Sequence, residues 1–269
     1  MNKLVSVVIT TFNHDSHLLD CLNSVLLNHS FIYEIIIVDD CSSNPNSISL
    51  LDEIAFNSYP IPVIIHRLPI NSGRPSLPRN AGASLCKSPL VCFMDCDDLM
   101  HPEYFAVLNK YISLASVIDN SFILSSSRVR FTDPNFNFFR HSSFFGIYVT
   151  NKLSSMKYFL STSGLIVPTH LFQSVSYENI YLEDWRFILS CFSNRIISKY
   201  LVVTPPLIAY RVSSSSITPN SKLTQFKRVK NVMNTFQIPI FYLIPYAFFS
   251  ILKYVYESKI LYRVFFRFL

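Results

Sequence analysis

This sequence predicts an α/β fold: a mostly parallel sheet flanked by helices, with a helical amphipathic extension at its C-terminus. Three observations carry the prediction. Short apolar runs rich in β-branched residues alternate with segments of helical periodicity. Three of those runs stop at polar clusters, Thr10-Thr11-Phe12, Asp39-Asp40 and Asp95-Cys96-Asp97-Asp98. An aromatic and basic segment closes the chain.

The first run, Leu4–Thr10, has the composition of a strand buried on both faces. Leu18, Leu19, Leu22, Val25 and Leu26 then recur on one helical face, with Asp15 or Ser16 as N-cap. A second buried strand, Glu34–Val38, is followed by a helix over about 47–56 and a strand over 61–66. A short helix over 79–85 leads to the strand Leu90–Met94. Strands alternating with helices build a parallel sheet covered on both faces, and such sheets collect ligands beyond the carboxyl ends of their strands. All three polar clusters would lie on that edge. Further on, the pattern predicts a helix over 102–116, strands over 122–130 and 163–167, and an amphipathic helix over 181–192. Residues 131–143 fit no element, while 200–203 and 207–211 flank Pro205-Pro206 as two strands. The serine run 213–216 reads as a loop.

Composition narrows the function. The chain has 269 residues and a net charge of +6, which suits an anionic partner. No helix-turn-helix, zinc-finger or RNP pattern is present, so a phosphate-bearing substrate or a lipid surface is favoured and nucleic acid is not expected. With only four glycines, neither the Rossmann fingerprint nor a P-loop is available. The six cysteines form no CxxC pair, and with no signal peptide at Met1-Asn2-Lys3-Leu4 they are expected as free thiols in a reducing cytoplasm.

The carboxylates carry the chemistry. Asp95, Asp97 and Asp98 crowd like charges at one strand end with no basic residue beside them in sequence. A bound Mg²⁺ or Mn²⁺ relieves that repulsion, taking one or two carboxylates plus substrate phosphates; solvated loop acids are the alternative. Asp39-Asp40 can bind a base edge or ribose hydroxyl, or merely cap a turn. Arg79, with Arg74 nearby, can meet a phosphate or belong to an ordinary surface loop. Glu183-Asp184 opens a predicted helix, where acids are favourable in any case.

Four stretches in order, SVVITTFNH (6–14), EIIIVDDCSS (34–43), NSGRPSLPRNAGA (71–83) and LVCFMDCDD (90–98), resemble the family 2 glycosyltransferases, which have the GT-A fold. Residues 163–167 and Leu182-Glu183-Asp184-Trp185 resemble that family's acceptor-side strand and Glu-Asp motif. The resemblance covers roughly 4–218. It implies that Thr10 and Phe12 flank the nucleotide base, that Asp40 contacts it and that Asp39 supports the loop. Arg79 joins the nucleotide-binding set. Asp95 and Asp97 become the metal-binding Asp-x-Asp, with Asp98 sharing the role, and Asp184 becomes the catalytic base with Glu183 beside it. The expected domains are a glycosyltransferase domain over 1–220, divided into a nucleotide-binding half (1–98) and an acceptor half (99–220), and an extension over 221–269.

The expected activity is inverting, metal-dependent sugar transfer from a nucleotide-sugar donor, a UDP-sugar first. The expected acceptor is a hydroxyl of a surface polysaccharide or a lipid-linked oligosaccharide. A sugar-nucleotide pyrophosphorylase would need a Gly-rich basic loop after the first strand, which TTFNHDS does not supply. A degenerate binding protein on the same fold would have lost a catalytic carboxylate, yet Asp97 and Asp184 are present. One departure from the family stands out: the His that often follows its Tyr-Arg pair by two residues is Ser213 here.

The apolar run 238–252 is too short to span a bilayer but is flanked by Lys and Arg. Residues 222–269 are therefore expected to make peripheral contact with the cytoplasmic face of the inner membrane, in preference to capping the domain.

Overall fold

β1 (Val5–Thr11) is buried at every residue, because it lies between two parallel neighbours, β2 (Ile32–Asp39) and β4 (Leu90–Asp95). The computed structural model describes residues 3–118, 122–131, 146–150, 162–212 and 222–237. The chain divides into two compact units, Met1–Ile217 and Thr218–Leu269.

Within the first unit the strand order is β3-β2-β1-β4-β8-β6-β9-β5, with β7 pairing β9. The added strands are β3 (Val63–Arg67), β5 (Leu99–Met100), β6 (Phe122–Phe131), β7 (Gly146–Thr150), β8 (Leu165–Pro168) and β9 (Lys199–Arg211). β1, β2, β3, β4, β6 and β9 run one way; β5, β7 and β8 run the other. The sheet is mostly parallel, as expected.

The helices follow their sequence signals closely. α1 (Ser16–Leu26) buries Leu18, Cys21, Leu22 and Val25, and its N-cap is Asp15, which accepts from Ser16 N–H at 2.6 Å. α2 (Pro45–Phe56) starts two residues earlier than expected, because Asn44 caps it and Pro45 suits its first turn. α3 (Ser76–Leu85) also begins earlier, at Ser76, which places Arg79 within its first turn. α4 (Tyr104–Ile118) and α5 (Glu183–Ser193) complete the domain.

An apolar run buried on both faces does not set its own register, since a one-residue slip still buries side chains. Here a buried polar group does so. Glu34 on β2 is 1% exposed and accepts from Ser6 Oγ at 2.8 Å and Lys87 N–H at 2.7 Å. Any other register would strand a buried carboxylate, a cost of several kcal/mol. Gly82 of α3 lets that helix approach β1, since a Cβ there would stand 2.4 Å from Val8 Cγ1. Gly164 has φ +78° and a Cβ there would stand 2.6 Å from Ile208 Cγ1.

Two expectations change. β9 runs unbroken through Pro205-Pro206 where two strands were expected, and it bulges there: Ser126, Ser127 and Arg128 of β6 lie opposite Val203, Pro206 and Ile208. The two-residue β5 and the five-residue β7 were not anticipated. The serine loop 213–216, the apolar run 238–252 and most of 131–143 lie outside the described residues.

In the second unit α6 (Lys222–Thr235) is amphipathic: Val229, Val232 and Met233 are buried, while Lys227 and Lys230 are exposed. Among the described residues no helix is long and apolar enough to cross a membrane.

Candidate functional site

Parallel pairing places the polar clusters side by side. Thr11 lies opposite Asp39, and Thr10 opposite Asp95. The carboxyl ends of β2, β1 and β4 therefore form one edge, stitched by Asp40 N–H to Thr11 O at 2.9 Å and Cys96 N–H to Thr10 O at 3.3 Å. Thr10 is buried, while Phe12 is 41% exposed at the rim.

The two β2-end carboxylates differ in role. Asp39 turns into its own loop, accepting from Ser42 N–H at 3.1 Å and from the Ser42 hydroxyl. Asp40 reaches across to the loop before α3, where it accepts from Ser72 N–H and Ser72 Oγ, each at 2.9 Å. Asn71 Nδ2 donates to the Asp40 carbonyl at 3.1 Å. That loop is tied in turn to the segment before Glu183: Asn179 Nδ2 donates to Ser72 O at 3.2 Å, and Arg74 stacks on the Tyr181 ring at 3.6 Å.

At the end of β4, Arg79 is 3% exposed and donates to Asp95 at 2.7 Å and to Glu183 at 3.0 Å. Its guanidinium also sits 5.4 Å over the Tyr177 ring, and its buried Nε has no hydrogen-bond partner. These two carboxylates hold its pKa above the ordinary arginine value against the opposing effect of burial. Arg79 joins the Asp95 cluster to Glu183-Asp184.

Asp97 is half-buried, and burial with the neighbouring Asp95 charge raises its pKa. Asp98 is fully buried; its oxygens accept from Ser163 Oγ and, at 3.0 Å, from Arg211 N–H. Burial, then Asp95 and Asp97, push its pKa well up. Among the described residues no three His, Cys, Asp or Glu side chains form a ready cation cage. Asp95 and Asp97 offer the donor set of a Mg²⁺ or Mn²⁺ that takes its remaining oxygens from substrate and water.

Glu183 and Asp184 open α5, directly after Leu182, whose φ of +62° is rare for a bulky residue. Asn13 and Cys41, next to the other two polar clusters, are also left-handed. Such strain collects at functional turns. Asp184 accepts from Trp185 N–H at 2.7 Å. Burial, with Glu183 beside it, pushes its pKa up to about 6, against the lowering effects of that N–H, Arg79 and Arg128.

Several neighbours had no assigned role in the sequence. Arg128, which acts electrostatically on Asp184, sits 4.8 Å over the Tyr210 ring. His14 and His17 face each other at 5.8 Å, and both act on Asp97. Ser72, Ser163 and Tyr177 likewise reach the site from far along the chain, so no local spacing marks them.

The comparisons with known proteins agree with this geometry. The pattern of glycosyl transferase family 2 matches residues 6–178. The poly(ribitol-phosphate) β-N-acetylglucosaminyltransferase TarP of Staphylococcus aureus is 39% identical over 111 residues, covering 40% of this chain and 33% of TarP. The chain thus spans about a third of that relative. The UDP-Glc:α-D-GlcNAc-diphosphoundecaprenol β-1,3-glucosyltransferase WfgD of Escherichia coli is 22% identical over 268 residues, covering 95% of this chain and 97% of WfgD. The crystal structure of S. aureus TarS residues 1–349 with UDP-GlcNAc superposes with a TM-score of 0.66 at 19% identity, covering 87% of this chain and 65% of that one. That is a likeness of fold, the GT-A sheet. With the family pattern running from β1 to the threshold of α5, the chain belongs to glycosyl transferase family 2.

Proposed function

We propose that this chain is an inverting, metal-dependent glycosyltransferase that moves a sugar from a nucleotide-diphosphate donor, a UDP-sugar first, to a hydroxyl of a surface polysaccharide or lipid-linked oligosaccharide. One observation carries the reading: Arg79 holds the β4-end carboxylate Asp95 and the α5 carboxylate Glu183 on one guanidinium, which makes a donor site and a base site neighbours.

Thr10 and Phe12 would flank the base and Asp40 would contact it, on the loop that Asp39 supports. Asp97 and Asp95 would hold Mn²⁺ or Mg²⁺, which neutralises charge developing on the departing diphosphate. Asp184 takes the acceptor hydroxyl's proton as that oxygen bonds to the anomeric carbon. The bond from that carbon to the diphosphate oxygen breaks, and its electron pair leaves with the nucleotide. Attack opposite the leaving group inverts the anomeric centre. A carboxylate with a pKa near 6 is a better base than a free aspartate and is still ionised at neutral pH.

The donor assignment draws support from TarS, whose structures hold UDP and UDP-GlcNAc. The acceptor class draws on TarP and WfgD, whose names give a poly(ribitol-phosphate) and a diphosphoundecaprenol acceptor. Residues 222–269, basic and aromatic, would rest on the cytoplasmic face of the inner membrane near such an acceptor. Hydrolysis and binding of a panel of UDP-, GDP- and dTDP-sugars with Mn²⁺ and with EDTA test the proposal. Metal-dependent turnover or binding with one donor is expected; none with any donor sinks it.

A further inference from the structure

Asp98 follows the Asp95–Asp97 pair directly, but its surroundings differ. It is 0% exposed, and both carboxylate oxygens are committed, one to Ser163 Oγ and the other to Arg211 N–H at 3.0 Å. These same two partners also hold the backbone of the two acids beside it. Ser163 Oγ accepts from Asp95 N–H at 3.1 Å, and Arg211 Nε donates to the Asp97 carbonyl at 3.0 Å. Asp98 N–H closes the turn onto Asp95 O at 3.1 Å. Asp98 thus sits at the centre of a ring of hydrogen bonds. That ring ties the turn after β4 to Ser163, just before β8, and to Arg211 at the end of β9.

We propose that Asp98 is a positioning residue that sets Asp95 and Asp97 for the metal–diphosphate and does not itself ligate the cation. To reach a cation it would have to abandon two buried donors, each then left unsatisfied. Held in place, it fixes the backbone from which the half-buried Asp95 and Asp97 carboxylates project. Mg²⁺ in particular demands near-ideal octahedral geometry, and groups that orient ligands affect metal affinity strongly. This inference rests on the proposed role of Asp95 and Asp97.

The test is calorimetric titration of Mn²⁺·UDP, and of UDP in EDTA, into the full chain and its Ser163→Ala, Asp98→Asn and doubly substituted forms. Ser163→Ala should weaken Mn²⁺·UDP about tenfold and leave metal-free UDP binding unchanged. The double variant should bind no more weakly than Asp98→Asn alone, because both changes break one ring. Should Asp98→Asn fail to fold, Ser163→Ala decides by itself. Wild-type Mn²⁺·UDP affinity in Ser163→Ala, even with a lowered melting temperature, overturns the inference and leaves the proposed function standing. A wild-type chain that binds no Mn²⁺·UDP overturns both.

Discussion

Arg79 donates through Nη1 to Glu183 at 3.0 Å, and through Nη2 the same guanidinium holds Asp95 at 2.7 Å. A buried cation between two carboxylates cannot be removed without leaving both uncompensated. Arg79→Met should therefore destabilise the chain by roughly 3–5 kcal/mol, read as the shift of its urea unfolding curve. Arg79→Lys, with one compact charge in place of a fork, should recover part of that. A change within about 0.5 kcal/mol for Arg79→Met would mean the pairs add nothing.

Asp184 makes a paired prediction. Its folded pKa of about 6 lies above its ordinary value, so between those two values the folded state binds more protons than the unfolded state. Stability on this account falls as pH rises through that window and stays reduced above it. Asp184→Asn should remove the penalty, raising stability at pH 8 by on the order of 1–2 kcal/mol while abolishing transfer. A variant that is less stable at pH 8, or fully active, contradicts the assignment of Asp184 as a strained base.

The pH–rate profile follows from the same group. Because the base works ionised, kcat/KM should rise with pH to a plateau, with an apparent pKa of about 6. A profile that falls across that range would point to an acid in place of a base.

Asp97 and Gly82 separate chemistry from packing. Asp97→Asn should remove Mn²⁺-dependent donor binding with little loss of stability, since burial and Asp95 already disfavour its charge. Isothermal titration with and without Mn²⁺ measures this, and unchanged metal dependence rules Asp97 out. Gly82→Ala would place its Cβ 2.4 Å from Val8 Cγ1 and should cost about 1–3 kcal/mol in thermal unfolding. Adding Val8→Ala should restore part of it; a Gly82→Ala chain as stable as wild type would show that α3 can shift freely.

Much of the fold was legible because hydrophobic periodicity is local. The run EIIIV at 34–38 and the face Leu18, Leu22, Val25 name their elements without reference to the rest of the chain. The short strands β5 and β7 were not legible, since Leu99-Met100 and Gly146–Thr150 are tied into the sheet by pairing with β9, far along the chain. The prolines of β9 misled for the same reason: proline forbids a donor, but only the partner strand decides whether one is needed.

By itself the sequence determined the parallel core, the carboxylate clusters at its strand ends and, through four ordered motifs, the family. Only tertiary structure decided what each charged group does. Three acids stand in one four-residue stretch, yet Asp95 meets Arg79, Asp97 stays half-buried and Asp98 is enclosed by Ser163 and Arg211. The reason is physical. A carboxylate's role depends on its desolvation and on the donors and charges within a few ångströms, and those neighbours come from strands and helices far along the chain.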